Sequence, residues 1–115
     1  MPVSRLASTW IPVVAWAAVI FAFSSVPNLS SGLGGWDLLL RKLAHTTEYA
    51  ILGVLLWRAL RSEVAAFAAG VAYAATDEFH QHFVTGRHGS PVDVAIDAAG
   101  VLLGVVLASR TLARR

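Results

Sequence analysis

Four apolar stretches fill nearly the whole chain, and each is about the length that a helix of roughly 20 residues needs to cross the hydrocarbon core of a bilayer. They cover residues of about 8–25, 38–60, 63–83 and 91–111, with only short connections between them. No segment is left over for a soluble domain, so residues 1–115 read as one domain. The predicted fold class is all-α: an integral membrane bundle of four transmembrane helices with short loops. Composition agrees, because 57% of the residues are hydrophobic and 14% are charged, against about 25% charged in a soluble domain. Cysteine is absent, which excludes disulfides and thiolate chemistry.

The first stretch, Trp10 to Phe23, is almost uninterrupted and ends at Ser24-Ser25-Val26-Pro27. Its rival reading is a secretory signal peptide, with Arg5 as the charged region and Ser24-Ser25 as a weak cleavage region. Asn28, Gly32, Gly34 and Gly35 mark a loop. Trp36 suits the headgroup level and Asp37 is a candidate N-cap for the second helix. Ser62 is a candidate cap for the third. Gly86 and Gly89 frame a short link that makes the third and fourth helices an antiparallel hairpin. Ser90-Pro91-Val92-Asp93 then reads as a helix start, with proline at the first helical position and an acid where a capping box places one. Gly100 and Gly104 form a GxxxG, which permits a close helix approach, either within the chain or in a homo-oligomer.

Three of the apolar stretches are interrupted at one end by costly polar groups. On the second helix, Lys42, His45 and Tyr49 fall within an arc of roughly 60° at about 100° per residue, with Glu48 at its edge. The third helix runs through Tyr73 into Asp77, Glu78 and Gln81, and the fourth carries Asp93 and Asp97 on the stripe of Gly100 and Gly104. Ionisable groups at such depth face a protein interior or a wet cavity and count as a functional hypothesis. The nine Lys and Arg residues give an orientation. Arg5, Arg58, Arg61, Arg110, Arg114 and Arg115 gather at one side, and Arg41, Lys42 and Arg87 at the other. The positive-inside bias therefore puts both termini in the cytoplasm and all three polar helix ends at the extracytoplasmic face. Scattered at span ends, these cations are topology signals and do not form a nucleic-acid surface.

The same residues carry a resemblance. Lys42-x-x-His45-x-x-Glu48-Tyr49, Asp77-Glu78-x-x-Gln81 followed by Gly86-Arg87, and Ser90-x-x-Asp93 with Asp97 and Gly100 resemble the VanZ-like family of small membrane proteins, as does Phe23-Ser24-Ser25-x-Pro27. The blocks occur in the family's order over nearly the whole chain. Many relatives are expected to carry Asn near position 97, where this chain has Asp. The resemblance implies a bacterial cytoplasmic membrane, and a role of the type shown by the family's namesake, which is associated with resistance to the glycopeptide antibiotic teicoplanin.

Three uses of the cluster follow from its chemistry. As a scaffold, Arg87 or Lys42 neutralises Asp77, Glu78 or Asp93, with such bonds averaging about 0.6 kcal/mol in membrane proteins. As a metal site, His45, Glu48 and Asp77 supply mixed nitrogen and oxygen ligands for a divalent ion. As a ligand site, Lys42, His45, Tyr49, Gln81, Arg87, Asp93 and Asp97 engage a membrane lipid, a lipid-linked cell-wall component or a glycopeptide, with Arg87 suited to phosphate. Glu48, Asp77 and Glu78 are then the candidate catalytic acids and bases of the alternative, a small membrane hydrolase or transferase. Adjacent helix residues diverge by about 100°, so only one of Asp77 and Glu78 is expected to face the site. The surplus of acids over Lys42 and Arg87 argues against a pure scaffold. A proton relay is disfavoured because Ala50 to Leu56 and Val101 to Ala108 are apolar. His80, His82 and His88 read as interfacial, Trp10, Trp36 and Trp57 as interface anchors, and Trp16 as lying within the bilayer.

Overall fold

The computed structural model describes residues 3–24, 36–81, 83 and 91–112, except for the side chains of residues 3–5, 24, 36–39, 41, 81 and 91. Four α-helices account for almost all of them: α1 (Val3–Ser24), α2 (Trp36–Leu60), α3 (Glu63–Gln81) and α4 (Pro91–Leu112). The fold is all-α, as the apolar pattern implies. Two of the helices contain a stretch long and apolar enough to cross a membrane, Leu6–Phe23 in α1 and Val92–Leu112 in α4. In α2 and α3 the apolar sequence is diluted by the polar groups described above. The loop before α2 and the link carrying Arg87 and Ser90 lie outside the described residues.

Local chemistry sets the α2–α3 corner. Arg61 adopts a left-handed conformation at φ 55°, and its N–H donates to the Trp57 carbonyl at 2.7 Å, closing the last turn of α2. Its guanidinium stacks 4.8 Å from the centre of the Trp57 ring. Ser62 then caps α3, its hydroxyl oxygen accepting from the Ala65 N–H at 3.2 Å while its carbonyl accepts from Ala66. With two residues between the helices, α2 and α3 must run antiparallel. At the other end, α3 stops at Gln81, two residues short of the expected Phe83, whose N–H donates to the His80 carbonyl in a turn.

Packing within the bundle is set by small residues. The most extensive pairing is between α2 and α4, which run parallel and approach closely. A Cβ added at Gly100 would meet the Thr46 carbonyl oxygen at 2.6 Å, and one at Gly104 or Gly53 would collide with the Ala50 or Val101 carbonyl. The GxxxG of α4 is therefore filled by α2 of the same chain. On the α3 side, Gly70 receives the methyl groups of Val101. Helix α1 packs on α2 and α3 and, among the described residues, does not touch α4. The bundle measures 47 × 26 × 23 Å, and a 22-residue helix is about 33 Å long, enough for the hydrocarbon core of a bilayer.

Large apolar side chains lie both at the centre of the bundle and over its outer faces. Ile20, Leu52, Val101 and Val105 are buried at the centre, yet Ile11 and Val14 on α1 and Leu102, Leu103 and Leu107 on α4 point outward. Such broad apolar exposure marks a surface made for an apolar environment. Trp57, near the end of α2, is buried in the bundle, with the Arg61 guanidinium over its ring.

Candidate functional site

The bundle brings the polar ends of α2, α3 and α4 together, and the side chains fall into two layers. The outer layer is an ion pair between the Lys42 ammonium and Asp93 Oδ1, which joins α2 to α4 and remains partly exposed. Asp93 is in the first turn of α4, where the unpaired N–H groups of the helix start favour a carboxylate. The scaffold expectation that Lys42 neutralises one of these acids thus holds for Asp93. Also in α2, His45 Nδ1 lies 3.7 Å from Glu48 Oε2, one helical turn apart.

The inner layer is buried. Tyr49 is fully enclosed, and its hydroxyl donates to Asp77 Oδ2 at 3.0 Å, joining α2 to α3. Asp77 and Asp97 are only 2% and 6% exposed. Such depth for carboxylates is rare in any protein. The groups near enough to act electrostatically on Asp97 are Asp77, Asp93, Glu48 and Lys42. Those acting on Tyr49 include Asp77, Asp97 and Tyr73. At about 1.5 Å per residue, Asp97 lies roughly 6 Å deeper along α4 than Asp93. Among the described residues, the Lys42 cation at the rim thus stands above a group of acids.

Of the residues singled out by sequence, Lys42, His45, Glu48, Tyr49, Asp77, Asp93 and Asp97 come together at this end. Glu78 is half-buried and is not among the groups acting on Asp97; as the helix geometry requires, Asp77 is the enclosed member of that pair. Arg87 and the Gln81 side chain lie outside the described residues. Among the described residues, no three His, Asp or Glu side chains converge so that they could hold a metal ion. Of the candidate metal set, His45 and Glu48 lie side by side on α2, and Asp77 is on α3.

Two residues join the site that spacing alone does not assign. The Trp16 indole N–H donates to the Glu48 carbonyl at 2.8 Å, and the Tyr73 hydroxyl donates to the Ala17 carbonyl. Together they fasten α1 to α2 and α3 at the level of the buried acids. Tyr73 shares the Asp77 stripe, but its ring packs 6.1 Å from Tyr49 and its hydroxyl turns away toward α1. The sequence signal for both is an aromatic residue with a polar edge inside an apolar run, which when buried needs a partner. His80, read as interfacial, stacks on Phe21 with ring centres 4.3 Å apart.

The helical architecture, the two membrane-length helices and the enclosed polar end define a small membrane-associated helical protein. The chain belongs to the VanZ/LLP1 family, whose sequence profile matches residues 3–113. No curated protein and no solved structure matches it significantly.

Proposed function

We propose that the chain is a four-span integral membrane protein with both termini in the cytoplasm, and that its polar end is an extracytoplasmic site for the head group of an envelope lipid, a lipid-linked cell-wall component or a glycopeptide. The observation that carries this reading is the burial of Asp77 and Asp97 at 2% and 6% exposure beside Glu48, with Lys42 already engaged by Asp93. Carboxylates at that depth are costly unless a partner completes their hydrogen bonding and charge. A head group rich in hydroxyl or amine donors supplies both. The outward apolar faces of α1 and α4 support immersion of the bundle, and the positive-inside bias supports the orientation. Family membership supports a VanZ-like membrane protein, and glycopeptide tolerance is the role that the resemblance implies.

The test is native mass spectrometry of the full chain released from membranes in mild detergent, beside the double variant Glu48→Gln/Asp93→Asn. The wild type should retain an envelope-derived adduct that the variant loses while remaining folded. Equal adducts, or none in either, would return the cluster to a structural role. A metal-assisted hydrolase or transferase is the rival, favoured by the His45–Glu48 pair, an imidazole 3.7 Å from a carboxylate. Under the binding reading, retained lipid is recovered chemically intact after prolonged incubation with the protein, with or without added divalent metal. Cleaved lipid would decide for the enzyme.

A further inference from the structure

We infer that the site is selective for a primary ammonium group, which Asp97 receives, so that the ligand is an amine-bearing head group; this rests on the ligand-site reading above. The first observation is charge. Around Asp97 the described groups are three further carboxylates, Asp77, Glu48 and Asp93, and one cation, Lys42. That cation is held by Asp93 at the rim. The second observation is Asp97 itself. It is more than nine-tenths buried, it faces the other acids, and among the described residues it has no hydrogen-bond or ion-pair partner. A carboxylate accepts hydrogen bonds and donates none, so a second acid cannot satisfy it while both are ionised. A donor that is also cationic can.

Geometry separates an ammonium from a bare divalent ion. A metal needs its oxygen or nitrogen ligands at about 2.0–2.6 Å from one point, and the acids here act on one another without converging on such a point. An ammonium instead reaches each acceptor through its own N–H, at about 2.7–2.9 Å and in three directions. Acids contributed by α2, α3 and α4 can each accept from a separate N–H. The hydrogen bond from Tyr49 fixes one oxygen of Asp77, and the paired rings of Tyr49 and Tyr73 lie beside the acids. A trimethylammonium group has no N–H to offer, so it cannot donate a hydrogen bond to Asp97. Along α4, Asp93, and with it the Lys42 ammonium it holds, stands roughly 6 Å above Asp97. That spacing suits a phosphate joined to the amine by a two-carbon linker, the head group of an aminoethyl phospholipid.

The experiment uses the full chain in mild detergent, with short-chain phosphatidylethanolamine, phosphatidylcholine and phosphatidylglycerol of identical acyl chains, and with free ethanolamine, each titrated by native mass spectrometry. Phosphatidylethanolamine should be retained at least tenfold more strongly than the other two lipids. Asp97→Asn, which keeps the side chain's shape, should abolish that preference, while Ser109→Ala, remote from the site, should keep it. A melting curve for each variant establishes that it is folded. Free ethanolamine bound as well as the lipid would support ammonium recognition and place its source in solution; ethanolamine bound only weakly would place it in the membrane. Equal binding of all three lipids, or a preference that survives Asp97→Asn, would overturn the ammonium assignment. A Lys42-dependent preference for phosphatidylglycerol would overturn it while leaving the ligand site standing, whereas retention of none of these probes, with no native adduct either, would remove both.

Discussion

In the inner layer of the site, the Tyr49 hydroxyl joins α2 to α3. Tyr49 is buried and donates to a buried Asp77, so Tyr49→Phe removes a hydrogen bond from a carboxylate that water cannot easily reach. Loss of a donor to a buried charged group costs about 1–3 kcal/mol, and the detergent melting temperature should fall accordingly. Tyr73→Phe also removes a bond, but the Ala17 carbonyl it leaves has its own helical donor, so its effect should be smaller. A reversed order would mean that Asp77 is satisfied by other groups. Most of these residues were legible in the sequence, because acids, an imidazole and a lysine inside apolar runs stand out wherever they fall. Their pairing was less legible. Periodicity put Tyr73 on the Asp77 stripe, yet its hydroxyl serves α1, and nothing in the spacing of Trp16 shows that its indole meets the Glu48 carbonyl. Those contacts depend on the approach of α1, and a single helix's pattern carries no information about that approach.

Among the elements, the α2–α4 pair should be the most sensitive to added volume. Gly104→Ala drives a methyl into the Ala50 backbone, which cannot step aside, whereas Gly70→Ala meets the side-chain methyls of Val101. Overpacking costs about 1–3 kcal/mol, and thermal unfolding should show Gly104→Ala as the more destabilised of the two. The α2–α3 corner makes a different test. Arg61 holds a left-handed backbone that costs a non-glycine residue about 1–2 kcal/mol. Its stacking on Trp57 returns about 0.5–1 kcal/mol. Arg61→Gly should thus leave stability nearly unchanged, while Arg61→Ala, which keeps the strain and loses the stack, should lower it. The GxxxG was visible in the sequence, but its use inside the chain was not, since the motif is the same whether the close neighbour is α2 or a second copy. The turn at Arg61 was not visible either, because no residue preference announces a left-handed conformation at an arginine.

For the molecule as a whole, the all-helical architecture followed from the apolar runs and their short connections. The bundle's handedness of contact, with α1 on α2 and α3 but away from α4, did not, because every helix has apolar residues on more than one face. The account joins a buried acidic end to the outside of the cell through four spans, and that join is its central claim. The absence of native cysteine lets it be tested directly, by placing one thiol at a time in the full chain. Thr85→Cys in the link between α3 and α4 and Ser62→Cys at the α2–α3 corner should be probed in intact cells with a membrane-impermeant maleimide. The account expects labelling of Thr85→Cys in intact cells and of Ser62→Cys only after the membrane is opened. Labelling of Ser62→Cys from outside, with Thr85→Cys protected until the cells are opened, would place the acidic end in the cytoplasm and contradict it.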